Sequence, residues 1–422
     1  MSNAQSKVDI VILSNGPGEI ATWVRPVVKC LARKARGDRQ NRRISVLLSP
    51  CPHSTGKEAK IVSSYPGVDR VLPAEEFFNF LLWGKTPENW QWHSRGTVVF
   101  LGGDQFYAVV ASQRLGYRSL IYAEWDARWY RFIDRFAAMS QKAVDKVPAA
   151  YRHKLMVVGD LMADTVLEVQ ERPRDSNLSD SNLLTVGLLV GSKPAKLAQG
   201  VPLCLAIAEK IHQHLPQVEF IIPVAPTIDL ATLEKYARQQ DNPLISLMGG
   251  VGGEIVVVDD FPYLVTFGGI KIKLITRSPA YQDLIRCQLC LTTVGANTAE
   301  LASLGIPMIV LLPTQQLDAM RSWDGLPGIL ANLPGIGTLL AKLINWLVLR
   351  QGRLFAWPNI WAGTEIVPEL VGELQPSKVA ELAIDYLTHP SKLQGMKANL
   401  LEVRGKSGAA QRIADIIEDT AM

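Results

Sequence analysis

The chain lacks most of what would mark a secreted, fibrous or membrane-embedded protein. Its 422 residues hold only five cysteines, Cys30, Cys51, Cys204, Cys287 and Cys290. An odd number scattered over so long a chain excludes a dense disulfide framework and fits a reducing cytosol. Cys287 and Cys290 have the spacing of half a zinc site, but no second pair or suitably spaced histidine accompanies them, so both are expected in the core. Charge of one sign is scarce: 44 Lys and Arg against 40 Asp and Glu leave +4, too slight an excess to predict nucleic-acid binding. The one basic cluster, Arg33, Lys34, Arg36, Arg39, Arg42 and Arg43, reads as a solvated helix end and loop, with contact to anionic headgroups or phosphates as the functional alternative. Long apolar runs are missing too. The nearest, 328–349, is broken by Pro334, Gly335 and Gly337 and carries Lys342, so no bilayer crossing is expected. Residues 1–9 lack a basic start and a cleavage pattern, so export is not expected either.

What is present is enough apolar material for a large interior: 48% of residues are hydrophobic and 20% charged. At this length two cores are expected. Short β-branched runs alternate with helical patterns twice over, first from Val8 to Val158 and again from Leu184 to Leu312. The pattern predicts two doubly wound parallel α/β domains. The expected division is 1–170, a polar linker at 171–183, a second domain at 184–392, and a helical segment at 393–422 packing back across both. Predicted strands end repeatedly in small or acidic residues: Asn15-Gly16, Gly102-Gly103-Asp104, Glu124-Trp125-Asp126 and Gly159-Asp160. In open α/β sheets those carboxyl ends form the ligand crevice. Neither half carries a full G-x-G-x-x-G with a later acidic residue, which argues against a dinucleotide oxidoreductase.

Three segments carry chemistry. In TTVGANTAELASLGIPM, from Thr292 to Met308, a strand runs into a small-residue loop and then a helix, whose opening amides bind phosphate without a charged side chain; the alternative is a turn and cap built by Gly295 and Asn297. In Val190-Gly191-Ser192-Lys193, another loop after a strand, Lys193 is placed to neutralise a leaving diphosphate or is simply a surface lysine. In the segment from Trp357 to Leu370, Asn359 offers donor and acceptors to a sugar or base edge, while Glu365 and Glu369 can accept from hydroxyls. No cluster has metal-ligand spacing, so no catalytic metal is expected.

PNIWAGTEIVPELV, together with TTVGANTAELASLGIPMIVLLP, LLVGSK and VGDLMAD, resembles the lipid-A-disaccharide synthase family, whose motifs occur in the same order across nearly the whole chain. That family comprises inverting GT-B glycosyltransferases, with two Rossmann-like domains facing across a cleft, that join a UDP-activated acylated glucosamine to an acylated glucosamine phosphate. The resemblance implies that Asn359, Glu365 and the loop Gly295, Ala296, Asn297, Thr298 to Glu300 hold the UDP-sugar, with Gly191, Ser192 and Lys193 beside it; Lys193 stands where the family has an arginine. It implies a lipid-linked acceptor, no cofactor beyond the UDP-sugar substrate, and a peripheral cytoplasmic protein at the inner membrane, with a homodimer also compatible. The family's GE.SGD pattern appears as Gly18-Glu19-Ile20-Ala21-Thr22-Trp23, with Ala21 and Trp23 in place of Ser and Asp, and the Gln after VPEL is Gly372. These departures fall partly on the acceptor side.

Inversion at an anomeric carbon needs a base for the acceptor hydroxyl. Asp104, which resembles the family's acidic D.PDF stretch, is the leading candidate, Glu19 the next and His53 the third; Asp104 also reads as a plain helix cap. Two apolar stretches flanked by bases suit an acyl-chain groove or a membrane interface, with ordinary core as the alternative: Phe77, Phe78, Trp83 and Trp90 in the first, Leu343 and Trp346 in the second. A nucleotide-sugar 2-epimerase needing no lipid surface, and a non-catalytic lipid- or nucleotide-binding protein, are the competing classes.

Overall fold

The computed structural model describes residues 7–34, 41–51, 54–164, 184–313, 354–405 and 407–421. The expected linker at 171–183, His53, Leu343 and Trp346 lie outside these residues. Contacts divide the chain into one unit of Met1–Glu168 with Gly405–Met422 and another of Val169–Arg404. The segment expected at 393–422 is therefore split: the helix Pro390–Val403 belongs to the second unit, and only the helix Ala409–Ala421 returns to the first.

In the first unit the described strands are β1 Val8–Ser14, β2 Arg42–Leu48, β3 Arg70–Leu72, β4 Arg95–Phe100, β5 Arg118–Ala123, β6 Arg135–Ala138 and β7 Leu155–Val157. They form one parallel sheet in the order β3-β2-β1-β4-β5-β6-β7. Strands buried on both faces read as continuous apolar runs rather than alternating ones, and VDIVILS of β1 is of that kind. Ile10 and Ile12 point into a core shared with Val27, Leu31 and, from the last helix, Ile413 and Ile417. Val11 and Leu13 point into the opposite core, built on Phe77, Phe80 and Phe136.

The second unit has β8 Thr185–Leu189, β9 Glu219–Pro223, β10 Gly253–Val258, β11 Phe261–Thr266, β12 Lys271–Ile275, β13 Leu289–Thr293, β14 Met308–Pro313 and β15 Glu369–Gly372. Their order is β10-β11-β12-β9-β8-β13-β14-β15, parallel except for the antiparallel pairs β10–β11 and β11–β12. The long helix Pro194–His214 packs over the sheet despite Pro202 in its middle. A proline has no N–H for the carbonyl four residues back. That carbonyl, Ala198 O, instead accepts from Asn242 Nδ2 at 2.8 Å. Gly200 lets the same helix sit close, because a Cβ there would stand 2.6 Å from Val190 O.

Each sheet reverses its winding once, between β1 and β4 in the first unit and between β8 and β13 in the second. Such a reversal opens a crevice at the carboxyl ends of the two strands. Both candidate sites lie at these points.

Candidate functional site

In the second unit β8 ends at Val190-Gly191-Ser192-Lys193 and β13 at Val294-Gly295. Residues Ala296–Leu304 then form a helix whose cap residue, Gly295, has φ 143°, a conformation that only glycine adopts without strain. Its opening amides carry the positive end of the helix dipole. Ala296, Asn297 and Glu300 are partly exposed at this entrance, and Glu300 Oε1 accepts from Tyr281 Oη at 2.9 Å. Thr298 is fully buried: its Oγ1 donates to Gly295 O at 2.9 Å and accepts from Trp357 N at 3.2 Å. It braces the loop and presents nothing to a ligand, which corrects its expected place among the donor contacts.

Asn359 needs the same correction. It is fully buried, and its amide is spent inside the protein: Oδ1 accepts from Ile366 N at 2.8 Å and Val367 N at 2.9 Å, while Nδ2 donates to Val367 O at 2.8 Å and Glu369 Oε1 at 2.7 Å. Glu369 also accepts from Phe355 N at 2.9 Å and Ala356 N at 2.8 Å. Asn359 and Glu369 together pin the chain from 355 to 369 around the short helix Trp357–Ala362. Glu365, at the tip of that segment, is exposed and open to a ligand.

Sequence reasoning missed a cation that approaches both glycine loops. Lys196, one turn into the helix after Lys193, donates through Nζ to Val294 O. Burial, with the neighbouring Lys193, lowers its pKa to about 8. Lys193 itself stands at the helix cap, where its backbone carbonyl accepts from Lys196 N and Leu197 N.

In the first unit the helical run after β1 starts at Pro17 and passes through a π-turn at Ile20–Val24 before continuing to Lys34. Glu19 sits just ahead of this wider turn, and a Cβ on Gly102 would come 3.1 Å from its side chain and 3.0 Å from Asn15 Oδ1. Asn15 Oδ1 is buried with no hydrogen-bond partner in the structure. Asp104 is exposed, and its carboxylate caps the helix Gln105–Leu115 by accepting from Phe106 N at 2.9 Å. A second acid, Glu124, follows directly on β5. Burial, then the charges of Asp160 and Glu19, push its pKa up to about 7. Asp160 is buried and raised to about 6, also chiefly by burial. The signal for both was present in the acidic strand ends.

The VGDLMAD motif is partly structural. Asp164 accepts from Gly408 N and from Ala410 N at 2.6 Å, and Arg412 Nε donates to Val158 O at 2.6 Å, so the motif anchors the returning helix Ala409–Ala421. Of the basic cluster, Arg36 and Arg39 lie outside the described residues, while Lys34 pairs with Asp415 and Glu418, Arg42 with Glu418, and Arg43 with buried Asp9. These three side chains are engaged within the first unit.

The aromatic stretch divides by burial. Phe77 is 0% exposed and belongs to the core, because the helix Phe77–Trp83 turns that face onto the sheet. Trp90 lies before β4, at the end of the sheet away from the crevice, where the Arg70 guanidinium stands 4.4 Å over its ring and 4.7 Å over that of Trp92. Phe77 is thus closed to an acceptor or a membrane, contrary to expectation, while Trp90 is half-buried under Arg70. Phe78 at 44% and Trp83 at 70% are exposed, as are Phe106, Trp129 and Phe132. Phe78 packs on Tyr107 at 6.1 Å and Phe106 on Trp129 at 5.0 Å between ring centres, two separate pairs on the helix Gln105–Leu115.

No protein-family model matches the chain. It is 26% identical over 235 residues to a lipid-A-disaccharide synthase of Anaeromyxobacter sp. (strain K), covering 55% of this chain and 48% of that one. It is 24% identical over 298 residues to a lipid-A-disaccharide synthase of Geobacter sulfurreducens, covering 68% and 62%. The chain spans about half the length of the curated relatives it matches. Among solved structures, it superposes on UDP-GlcNAc 2-epimerase from Neisseria meningitidis bound to UDP-GlcNAc with a TM-score of 0.51 at 12% identity, over 98% of this chain and 100% of the other. That likeness speaks for the fold alone. The chain has the GT-B fold, two Rossmann-like units in one polypeptide, with distant homologues named lipid-A-disaccharide synthase.

Proposed function

We propose that the chain is an inverting glycosyltransferase that moves a sugar from a UDP donor to a lipid-linked acceptor, the sugar being an acylated glucosamine as the resemblance to the lipid-A-disaccharide synthase family implies. The second unit takes the donor, with the diphosphate at the entrance of the helix Ala296–Leu304. The first unit takes the acceptor. Glu124 removes the proton of the acceptor hydroxyl, whose oxygen attacks the anomeric carbon. The bond to the diphosphate breaks, and its electron pair leaves with UDP, stabilised by the helix amides. A carboxylate with a pKa of about 7 is matched to that task near neutral pH. Asp104 is the cap of its helix on this view, which moves the base from the position the sequence favours.

The observation that carries the lipid-linked acceptor is the exposed aromatic surface of the first unit, Phe78, Trp83, Phe106, Trp129 and Phe132, with exposed Lys85 and Arg131 in the same segments. Rings beside bases suit the interface of an anionic membrane, so a peripheral protein at the cytoplasmic face of the inner membrane is part of the proposal. Among the described residues no helix is long and apolar enough to cross a membrane.

The test is incubation of purified protein with radiolabelled UDP-sugars and a total lipid extract, followed by identification of any labelled lipid. Glu124→Gln is expected to lower product formation by about 10²- to 10⁴-fold, the usual worth of a general base. Asp104→Asn is expected to cost less than about tenfold; a larger loss would return the base to Asp104. The raised acids Glu124 and Asp160 also favour a second reading, a 2-epimerase, since proton exchange at a sugar carbon uses such a pair. Turnover of the UDP-sugar in the absence of lipid would select it, and no turnover at all would select a non-catalytic binding protein.

A further inference from the structure

We infer that the Lys196 ammonium, with the Thr293 hydroxyl beside it, is the side-chain seat of the diphosphate of a nucleoside-diphosphate ligand in the second unit. The inference rests on the donor-site proposal above and assigns the cationic role to a residue one helical turn beyond Lys193. Two glycines make room for it. A Cβ on Gly191, whose φ is +96°, would stand 2.9 Å from Lys196 Cβ, and a Cβ on Gly295 would stand 3.0 Å from Lys196 Nζ. Any other residue at these loop ends would displace the lysine, so the two loops and the side chain form one built corner.

Thr293 supplies an independent sign of a ligand. It is 9% exposed, its Oγ1 has no hydrogen-bond partner in the structure, and that oxygen lies 3.5 Å from the Cβ position of Gly191. A buried hydroxyl left without a partner costs free energy, which a phosphate oxygen accepting its proton would recover. Lys196 has three N–H donors, of which Val294 O accepts one. The charge acting on Lys196 is a second cation, Lys193, and the amides opening the helix Ala296–Leu304 add positive potential nearby. A corner with an ammonium, an idle hydroxyl and a helix entrance is matched to a diphosphate, not to a neutral sugar edge.

The test is calorimetric titration of the full chain with UDP and, separately, with uridine. Wild type is expected to bind UDP more tightly than uridine. Lys196→Met is expected to lose UDP affinity by about tenfold or more, the worth of one charge-assisted hydrogen bond, with uridine affinity unchanged. Lys196→Arg should restore most of the loss, and Thr293→Val should show a smaller loss of the same kind. If the methionine variant unfolds, Lys196→Gln removes the charge while keeping a donor for Val294 O. UDP affinity unchanged in the charge-removing variant would overturn the assignment while leaving the donor site standing. An equal loss for UDP and uridine would make Lys196 a structural residue and overturn it too. Absence of UDP binding by wild type would instead bring down the donor-site proposal itself, and Lys196 with it.

Discussion

Glu124 binds its proton more tightly in the folded chain than in the unfolded one, since its pKa of about 7 lies above the ordinary 4.5. Its contribution to stability is therefore full below about pH 4.5 and is lost as pH rises to 7. Glu124→Gln should unfold at the same temperature as wild type near pH 4 and at a higher one at pH 8, as a series of thermal melts across that range would read. Asn359 makes the opposite case. Replacing it with alanine leaves Ile366 N and Val367 N without their acceptor and takes one donor from the Glu369 carboxylate. A loss of about 3 kcal/mol in denaturant-induced unfolding is expected, with weakened donor binding as a consequence of the loosened segment. The motif around Asn359 was legible in the sequence, but its direction was not: an amide satisfied from its own loop and one offered to a sugar have the same letters. Lys196 escaped for a related reason, since the spacing after β8 drew attention to Lys193, and only the helix phase brings the later lysine back over Gly295.

At the scale of elements, apolar runs such as those of β1, β8 and β13 declared themselves. Short strands did not. RFAA of β6 and ELVG of β15 are too brief to show any period, and β15 lies inside a motif that reads as a ligand loop. The antiparallel β10–β11–β12 meander departs from the all-parallel pattern expected of this half. Close approach of elements was equally invisible, because it depends on what a missing side chain avoids. Gly200→Ala sets a Cβ 2.6 Å from Val190 O and must push the helix Pro194–His214 off the end of β8. About 1–3 kcal/mol of stability should be lost, and UDP affinity should fall with it because Gly191 and Lys196 sit on the displaced parts. Equilibrium unfolding and titration on the same variant measure both.

For the molecule as a whole, the two repeated α/β series and a terminal helical segment packing back could be read from the sequence, whereas the division of that segment, with only Ala409–Ala421 joining the first unit, depends on long-range contacts that no local pattern encodes. Asp164 ties down that helix through two backbone amides. Asp164→Ala should orphan both, lowering the unfolding temperature of the first unit by the equivalent of about 2–4 kcal/mol and leaving the second unit's transition in place. Calorimetry resolving two transitions in the variant would show it. The same tether sets a schedule for synthesis. Ile413 and Ile417 complete the core beneath β1, yet they leave the ribosome after every residue of the second unit. While translation lasts, the earlier-made half waits with an uncovered apolar face, and the later-made half is the first able to finish its own interior.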